Sequence, residues 1–309
     1  MKAIAINHYG ASNQFELMDL KLRGIQADEV VIDVRAAGVN PVDWKLRRGD
    51  LRHQFNWELP IVLGWDVAGI VSEIGSDVAN VKVGDAVFAR PDMSNRGAYA
   101  EQTIVKANRV VVKPINLSFE EAAAVPLTAI TAWQVIHKRL KVRKGEAVLI
   151  QAGAGGIGIF AIQFAHQLGA TVVTTARTEN AEFLARLGAN QIVDYRAHRI
   201  TDLPHTFDAV FDTVGQITDG MAVLKPGGRL VSIESDPSDQ DWPDDKTASY
   251  WWTDPNSTDL SLIKRMIESD QVRVPINEIV PVTVPGVMRA HELSKSHHSV
   301  GKIVISMKT

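Results

Sequence analysis

The sequence contains no cysteine among its 309 residues. Disulfide bonds, thiol nucleophiles, iron–sulfur ligation and every zinc site that depends on cysteine are therefore excluded. Apolar runs long enough to cross a bilayer are also missing, and the opening stretch MKAIAINHYG lacks the charged and apolar regions of a signal peptide. These absences predict a cytoplasmic protein with no membrane partner.

Neither positive nor negative charge is in large excess, because the net charge is only −3. With 22% charged and 45% hydrophobic residues, the composition is that of an ordinary globular protein, and no basic stripe predicts a nucleic-acid partner. A single hydrophobic core rarely grows beyond about 250 residues, so a chain of this length predicts two domains.

The hydrophobic pattern changes near Pro114. Before it, short β segments are broken by Gly and Asp turns, which is typical of a compact β barrel. After it, strands alternate with helices, which predicts βαβ units on a parallel sheet. Ser118, with Glu121 three residues later, predicts the start of the first helix. We expect a β-rich domain over 1–117, completed by 267–309, and an inserted dinucleotide-type domain over 118–266.

The stretch QAGAGGIG, residues 151–158, carries Gly153, Gly155 and Gly158 in the spacing G-x-G-x-x-G between a predicted strand and a predicted helix. Such glycines permit a tight turn and a close approach of the backbone to a pyrophosphate, while the helix N-terminus attracts the negative charge. The loop, including Gly156 and Ile157, is therefore predicted to bind a dinucleotide. A structural turn without a ligand is the alternative.

The end of the next strand predicts which dinucleotide is bound. NAD-preferring folds place an acidic residue there to hold the ribose 2′-hydroxyl, but here the position falls on Ala176 or Arg177. A guanidinium binds a 2′-phosphate through charge-assisted hydrogen bonds, so NADPH is the predicted cofactor. Alternatively Arg177 is solvated or pairs with Glu179. Further cofactor-binding candidates, each with a turn or core role as its alternative, are Thr175, Asn180, Tyr195 and Val214.

The sequence as a whole resembles the medium-chain dehydrogenase/reductase superfamily, in its zinc-independent NADPH:quinone oxidoreductase (zeta-crystallin-like) branch. The matching stretches, in chain order, are AAGVNPVDWKLRRG, LPIVLGWDVAGIVSEIGSDVANVKVGDAVFA, GAYAEQTIV, AAAVPLTAITAW, AGAGGIG, LGANQIVDY, FDAVFDTVG, KPGGRL and GKIVI. The resemblance implies an α/β protein, with a GroES-like β-barrel catalytic domain and a Rossmann cofactor domain built on a doubly wound parallel sheet.

The same resemblance implies that no metal is bound. Alcohol dehydrogenases of this superfamily hold zinc with a cysteine where this chain has Asn40, and with Gly-His-Glu where it has Gly64, Trp65 and Asp66. Only the short linker RPDMSNR stands where a structural-zinc lobe would follow DAVFA. We therefore expect a zinc-independent enzyme.

Without a Lewis acid, hydrogen-bond donors alone must stabilise the oxygen that gains charge as hydride arrives. A ketone gives an alkoxide whose conjugate acid has a pKa near ~15.7, whereas a quinone gives a phenolate-like oxygen with a pKa near ~10. The difference corresponds to roughly 7 kcal/mol. The predicted acceptors are therefore quinones or α,β-unsaturated carbonyls.

The catalytic candidates are few. The family places an Asn beside the nicotinamide, so Asn40 is the first candidate donor, with a turn-stabilising role before Pro41 as the alternative. Lys45 and Tyr99 are candidate proton donors, although the first fits a solvated surface and the second a packed sheet. Thr128 resembles the family residue that touches the nicotinamide amide; a buried Thr bonding its own helix backbone is the alternative.

The predicted function is NADPH-dependent transfer of hydride to a quinone or an enone. Two alternatives stay open: an enoyl-thioester reductase, and a non-catalytic NADPH-binding redox sensor. The family also pairs an edge strand across a two-fold axis, which implies a homodimer through Tyr250, Trp251, Trp252 and Thr253 in the segment SYWWT. A lid over the substrate pocket is the other role considered for that segment.

Overall fold

The computed structural model describes residues 1–204 and 207–308. Tertiary contacts divide the chain into two compact units. The first unit comprises Met1–Leu127 together with the chain from Pro255 onward, and the second comprises Thr128–Asp254. Each unit has its own sheet system and is described by itself.

The first part of the chain is mainly β. Its elements are β1 (Lys2–Ile6), β2 (Phe15–Asp19), β3 (Glu29–Val39), α1 (Pro41–Arg48), β4 (Ile61–Val62), β5 (Val67–Ile74), β6 (Ala86–Ala89), β7 (Gln102–Lys106), β8 (Val110–Val112) and α2 (Phe119–Ala123). Helix α1 begins at Pro41 because proline fits the first helical position, where no hydrogen-bonded N–H is needed.

The middle of the chain alternates strands and helices, as predicted. Its elements are α3 (Pro126–Trp133), β9 (Ala147–Ile150), α4 (Gly158–Gln167), β10 (Thr171–Ala176), α5 (Ala181–Arg186), β11 (Gln191–Asp194), β12 (Phe207–Asp212), α6 (Ile217–Ala222), β13 (Leu224–Ser232) and β14 (Thr247–Tyr250). The remaining chain forms α7 (Ser257–Glu268), β15 (Ile276–Pro281), α8 (Val284–Lys295) and β16 (Lys302–Ser306).

The first unit contains a seven-stranded sheet in the order β15-β16-β3-β5-β6-β8, with β7 also on β3, and a three-stranded sheet in the order β2-β1-β4. Strand β3 pairs with β5 and also with two further strands, since β7 pairs with residues 29–33 and β16 pairs with residues 36–39. This pairing places the start of the carboxyl-terminal strand β16 beside the end of β3, where the candidate residue Asn40 follows.

The second unit contains six parallel strands in the order β11-β10-β9-β12-β13-β14. Its first strand, β9, lies in the interior of the sheet, and the chain moves outward to one side and then to the other. This strand order is that of the dinucleotide-binding doubly wound fold. The predicted parallel sheet is thus confirmed.

The helix start at Ser118 is confirmed by a capping box. The Ser118 Oγ accepts from the Glu121 N–H at 3.1 Å, and Glu121 Oε2 accepts from the Ser118 N–H at 2.8 Å. Helix α2 contacts β3 and β5, and α7 contacts β8, so both helices belong to the first unit. The contact boundaries therefore fall after Leu127 and Asp254, whereas the sequence pattern placed them after residues 117 and 266.

The strand expected over SYWWT, residues 249–253, is instead β14, which begins at Thr247 and ends at Tyr250. The Trp251 N–H still donates to the Ser232 carbonyl, but the Trp251 indole donates to Gln134 Oε1 at 3.1 Å. The chain thus leaves the sheet where these side-chain contacts begin. The longest helices described, α7 and α8, have 12 residues, and none of those described has the length and apolar character needed to cross a bilayer.

Candidate functional site

The candidate nucleotide site of the second unit lies where four neighbouring parallel strands end. The glycine loop follows β9, Arg177 follows β10, Tyr195 follows β11 and Val214 lies just after β12. Because the carboxyl ends of parallel strands share one edge of the sheet, the fold brings these predicted residues together. This is the edge at which doubly wound folds bind ligands.

The glycines of the loop do two different jobs. A Cβ on Gly153 would lie 2.1 Å from Thr174 Oγ1, and one on Gly158 would lie 2.4 Å from the Ala152 carbonyl oxygen. These two glycines are needed for packing inside the turn. A Cβ on Gly155 would meet nothing nearer than the Ala152 oxygen at 3.2 Å. The missing side chain of Gly155 therefore leaves a cradle open to a ligand.

Helix α4 begins beside this cradle and offers an anion site. Its N-cap, Ile157, makes no side-chain capping bond, and no acidic residue lies in the first turn. The N–H groups of Ile159, Phe160 and Ala161 already donate to the carbonyls of Gly155 and Ile157, so an anion would be bound by the loop N–H groups that precede them, at the positive end of the helix dipole. These observations show that the residues present fit the pyrophosphate of a dinucleotide.

Thr175 holds the glycine loop in place through its hydroxyl and its backbone carbonyl. The Thr175 hydroxyl accepts from the Ala152 N–H at 2.9 Å, and the Thr175 carbonyl accepts from the Gly153 N–H at 3.0 Å. Because the Thr175 side chain is bonded to the loop backbone and the residue is only 7% exposed, Thr175 positions the glycines.

Arg177 lies half-buried at the end of β10, with 32% of its side chain exposed. Its Nε donates to the Tyr195 hydroxyl at 3.1 Å, and its Nη1 lies 3.8 Å from the Glu179 carboxylate. The Glu179 carboxylate is closer to Arg196, at 2.9 Å. The guanidinium of Arg177 is therefore oriented by a neutral tyrosine and only loosely paired, which suits it to bind a phosphate.

The remaining cofactor candidates are placed less directly. Asn180 ends a short 3-10 turn before α5, and Val214 is 44% exposed on the loop after β12. Thr128 is buried in α3, with 3% of its surface exposed. The sequence reasoning passed over Asp212, whose buried Oδ1 accepts from the backbone N–H groups of residues 214–216 and thereby shapes the loop.

The catalytic candidate of the first unit, Asn40, lies in a buried polar network. Its Nδ2 donates to Asp66 Oδ2 at 2.7 Å, and its Oδ1 accepts from the Lys302 ammonium. Lys302 Nζ also donates to the Val39 carbonyl at 3.1 Å and lies 3.7 Å from Asp66 Oδ2. Asp66 Oδ1 accepts from the Leu127 N–H at 2.8 Å. The side chain of Asn40 is thus fixed from both ends.

Burial governs the charges of this network. Burial raises the pKa of Asp66, while the Lys302 ammonium and the Arg90 guanidinium counteract the rise. Burial likewise lowers the pKa of Lys302, against the attraction of Asp66. Burial also raises the pKa of Asp43, to about 7. Attraction between opposite charges at close range offsets part of the free-energy cost of burying them in a low-dielectric interior.

Tyr99 belongs to a second branch of the same network. Its hydroxyl donates to Asp43 Oδ2 at 2.9 Å, and Asp43 Oδ2 also accepts from the Asn40 N–H at 2.8 Å. Arg47 donates to His291 Nδ1 at 3.4 Å, so the other nitrogen of this ring, 3.3 Å from the Tyr99 oxygen, carries the proton. Burial lowers the pKa of His291 to about 3, which keeps the ring neutral.

These placements refine the catalytic candidates. The Tyr99 side chain is fully buried, and burial together with Asp43 raises its pKa well above that of a free tyrosine. Its hydroxyl orients Asp43 through the hydrogen bond to Oδ2. Lys45 Nζ lies 5.8 Å from the ring centroid of Trp44. Lys302 was missed, although the motif GKIVI contains it. Its only sequence signal was a charge at the start of a buried strand, and the contact spans 262 positions.

Among the described residues, no group of three or more His, Cys, Asp or Glu side chains is arranged to hold a metal ion. Of the residues that the resemblance sets against the zinc-binding motifs, Asn40 and Asp66 bind each other, and the Trp65 indole donates to the Ser94 carbonyl. A lysine ammonium contacts both Asn40 and Asp66.

Comparisons with known proteins match both units. Residues 26–115 match the family model of the alcohol dehydrogenase GroES-like domain, and residues 187–305 match that of a zinc-binding dehydrogenase. The 2-methylene-furan-3-one reductase of Solanum lycopersicum is 35% identical, over 99% of this chain and 79% of that protein. The NADPH-dependent alkenal/one oxidoreductase, chloroplastic, of Arabidopsis thaliana is 34% identical, over 99% and 79%.

A solved structure agrees with these relatives. The quinone oxidoreductase from Coxiella burnetii has a TM-score of 0.89 and 32% identity, covering 100% of this chain and 99% of that one. The chain therefore belongs to the medium-chain dehydrogenase/reductase superfamily. Its predicted place beside the quinone oxidoreductases and its GroES-like and Rossmann folds are confirmed.

Proposed function

We propose that the protein is an NADPH-dependent oxidoreductase that reduces quinones or α,β-unsaturated carbonyls. The observation that carries the proposal is the open cradle over Gly155, with Arg177 at the end of the neighbouring strand on the same sheet edge. The relative named as an NADPH-dependent alkenal/one oxidoreductase supports the choice of cofactor and substrate class.

In this proposal the second unit holds the nucleotide. The loop from Gly153 to Gly158, at the N-terminus of α4, holds the pyrophosphate, while Arg177 and Tyr195 hold the 2′-phosphate. Asn180, Val214 and Thr128 line the same cofactor. Bound NADPH supplies a hydride. The protein orients the nucleotide and selects NADPH over NADH, because a guanidinium favours the additional phosphate.

The first unit supplies the groups around the acceptor. Asn40 is proposed to steady the substrate carbonyl or the nicotinamide amide, held in one orientation by Asp66 and Lys302. Lys45 stays the candidate proton donor, whereas Tyr99 acts by orienting Asp43. We propose that zinc is not required, because the ammonium of Lys302 already provides positive charge to the oxygens of Asn40 and Asp66.

The function is tested by steady-state oxidation of NADPH with 9,10-phenanthrenequinone, a short enone or a crotonyl thioester. Turnover of the first two supports the proposal, and turnover of the thioester alone supports the enoyl reductase alternative. A protein that gives no calorimetric heat with either NADPH or NADH is not an enzyme of this class. Stoichiometric zinc in the purified protein would contradict the metal-free proposal.

Arg177→Ala tests the cofactor assignment. We expect the preference for NADPH over NADH, measured as the ratio of the two kcat/KM values, to fall by at least about tenfold, the loss of one charge-assisted phosphate contact. Arg186→Ala removes an exposed arginine that pairs with Glu182 on α5 and serves as the matched control. An unchanged ratio in Arg177→Ala would remove the basis for the phosphorylated cofactor.

The homodimer also stands as a proposal. Strand β14 forms an edge of the six-stranded sheet, and Trp252 just beyond it is 47% exposed. A second copy that paired along β14 and contacted Trp251, Trp252 and Thr253 beyond Tyr250 would cover that edge. Light scattering is expected to give the mass of two chains, and the mass of one chain would contradict it. The cytoplasmic location and the absence of nucleic-acid and membrane partners stay predictions, which cell fractionation checks.

A further inference from the structure

Beside the proposed 2′-phosphate position lies a negative charge that opposes phosphate binding. Glu179 Oε1 is 3.8 Å from Arg177 Nη1, and the Glu179 side chain is 55% exposed. A carboxylate that closed on the guanidinium would occupy the hydrogen-bonding face that a phosphate needs. It would also repel the phosphate directly. Selectivity for a phosphorylated ribose therefore depends on where this carboxylate is held.

Arg196 holds it. The Arg196 Nη2 binds Glu179 Oε2 at 2.9 Å, nearly one ångström closer than Arg177 approaches the other oxygen of the same carboxylate. Its backbone N–H, Nε and Nη2 are also bound to Asp194 at 3.0, 3.1 and 2.8 Å. Asp194 in turn accepts from the Thr178 N–H at 2.9 Å and from the Thr178 hydroxyl. The guanidinium of Arg196 is thus fixed by a carboxylate that is itself fixed.

The consequence is a division of labour between two arginines. Arg196 hydrogen-bonds the carboxylates of both Asp194 and Glu179, whereas the hydrogen-bonded neighbour of Arg177 is the hydroxyl of Tyr195. The guanidinium of Arg177 is then left with only the longer contact of 3.8 Å to Glu179. Without Arg196, the same carboxylate would turn to the next cation, which is Arg177.

We propose that Arg196 is a positioning residue that holds the Glu179 carboxylate away from Arg177 and thereby sets the preference for a 2′-phosphorylated nucleotide. This inference rests on the proposed NADPH function. It assigns no contact between Arg196 and the ligand: the Nε and Nη2 groups of Arg196 are engaged by Asp194 and Glu179.

The test uses nucleotide fragments and calorimetry rather than turnover. Adenosine 2′,5′-bisphosphate probes the 2′-phosphate position, and 5′-AMP is the matched ligand without it. The variants are Arg196→Ala, Glu179→Gln and the double variant Arg196→Ala/Glu179→Gln. Arg186→Ala removes the same charge from an exposed position paired with Glu182 and serves as the control for general electrostatics.

Arg196→Ala is expected to weaken the bisphosphate about two- to fivefold, the range typical of one exposed ion pair, and to leave 5′-AMP unchanged. Glu179→Gln is expected to tighten the bisphosphate slightly. The double variant is expected to recover the affinity of the wild type, because Glu179, the carboxylate that contacts Arg177, is then gone. The differences are expected to shrink at high salt, since these groups are exposed.

The outcomes separate this inference from the function it rests on. A wild-type protein that binds 5′-AMP as tightly as the bisphosphate overturns both the NADPH assignment and the role of Arg196. A loss in Arg196→Ala that persists in the double variant overturns the positioning role alone, since it would mean that Arg196 contacts the phosphate. An equal loss in Arg186→Ala would also overturn it, in favour of a general effect of charge.

Discussion

Each unit carries a cluster of two cationic and two acidic side chains, in very different surroundings. In the first unit Lys302, Arg90, Asp43 and Asp66 are all buried, with at most 4% of their surface exposed. In the second unit Arg177, Arg196, Glu179 and Asp194 lie near the surface, with two of the four side chains about half exposed.

The comparison shows that a buried charge cluster affects folding stability strongly, whereas an exposed one is suited to ligand recognition. In the buried cluster, charges interact strongly and leaving one unpaired is costly. In the exposed cluster, water and salt screen the same charges, so each pair contributes little to folding. The exposed charges can change partners, which is what binding an anionic ligand requires.

The largest expected effect is on the buried cluster. Lys302→Met preserves the length of the side chain but leaves Asp66 without its ammonium, so we expect a loss of about 3–5 kcal/mol in the free energy of unfolding. Arg196→Met in the exposed cluster is the matched change, expected to cost less than about 1 kcal/mol. Urea denaturation of both variants measures the difference. Equal losses would mean that burial does not separate the two clusters.

A pair of glycine substitutions sharpens the comparison within the second unit. Gly153→Ala places a methyl group against Thr174 and is expected to destabilise the fold by about 1–3 kcal/mol, as overpacking does. Gly155→Ala is expected to change stability by less than about 1 kcal/mol but to weaken NADPH binding at least about tenfold. Thermal denaturation and calorimetry check the two readouts. A Gly155→Ala protein that binds NADPH normally would place the pyrophosphate elsewhere.

The remaining expected effect is a pH dependence. Because the pKa of Asp43 is raised to about 7 in the folded state, that state holds a proton which the unfolded chain releases above about pH 4. Stability from this group is therefore full at low pH and is lost as the pH rises toward 7, by up to about 1.4 kcal/mol per pH unit. In Asp43→Asn the side-chain oxygen can still accept from the Asn40 N–H and the Tyr99 hydroxyl, but the group no longer titrates. We therefore expect the urea midpoint of this variant to depend less on pH between pH 5 and 8. An identical slope in the variant would contradict the shift.

The local features of the fold could be predicted from the sequence. The capping box at Ser118 and the glycine spacing after β9 depend on residues a few positions apart, so their side chains can meet only in one way. The alternation of strands and helices gave the parallel sheet, since such a chain must return to the same edge. Arg177 at the end of β10 followed from counting along that strand.

The rest depended on tertiary structure. Asn40 and Lys302 meet only because β16 pairs with the end of β3, and Asn40 and Asp66 are 26 positions apart. Pairing of Glu179 with Arg177 was the alternative that the sequence left open, but the shorter contact of Glu179 is with Arg196, because the parallel register of β10 and β11 brings Arg196 alongside. Residue identity determined which charges exist and which loop accepts a phosphate. Packing decided which charges are buried and which face each other, because those distances arise only when distant strands pair.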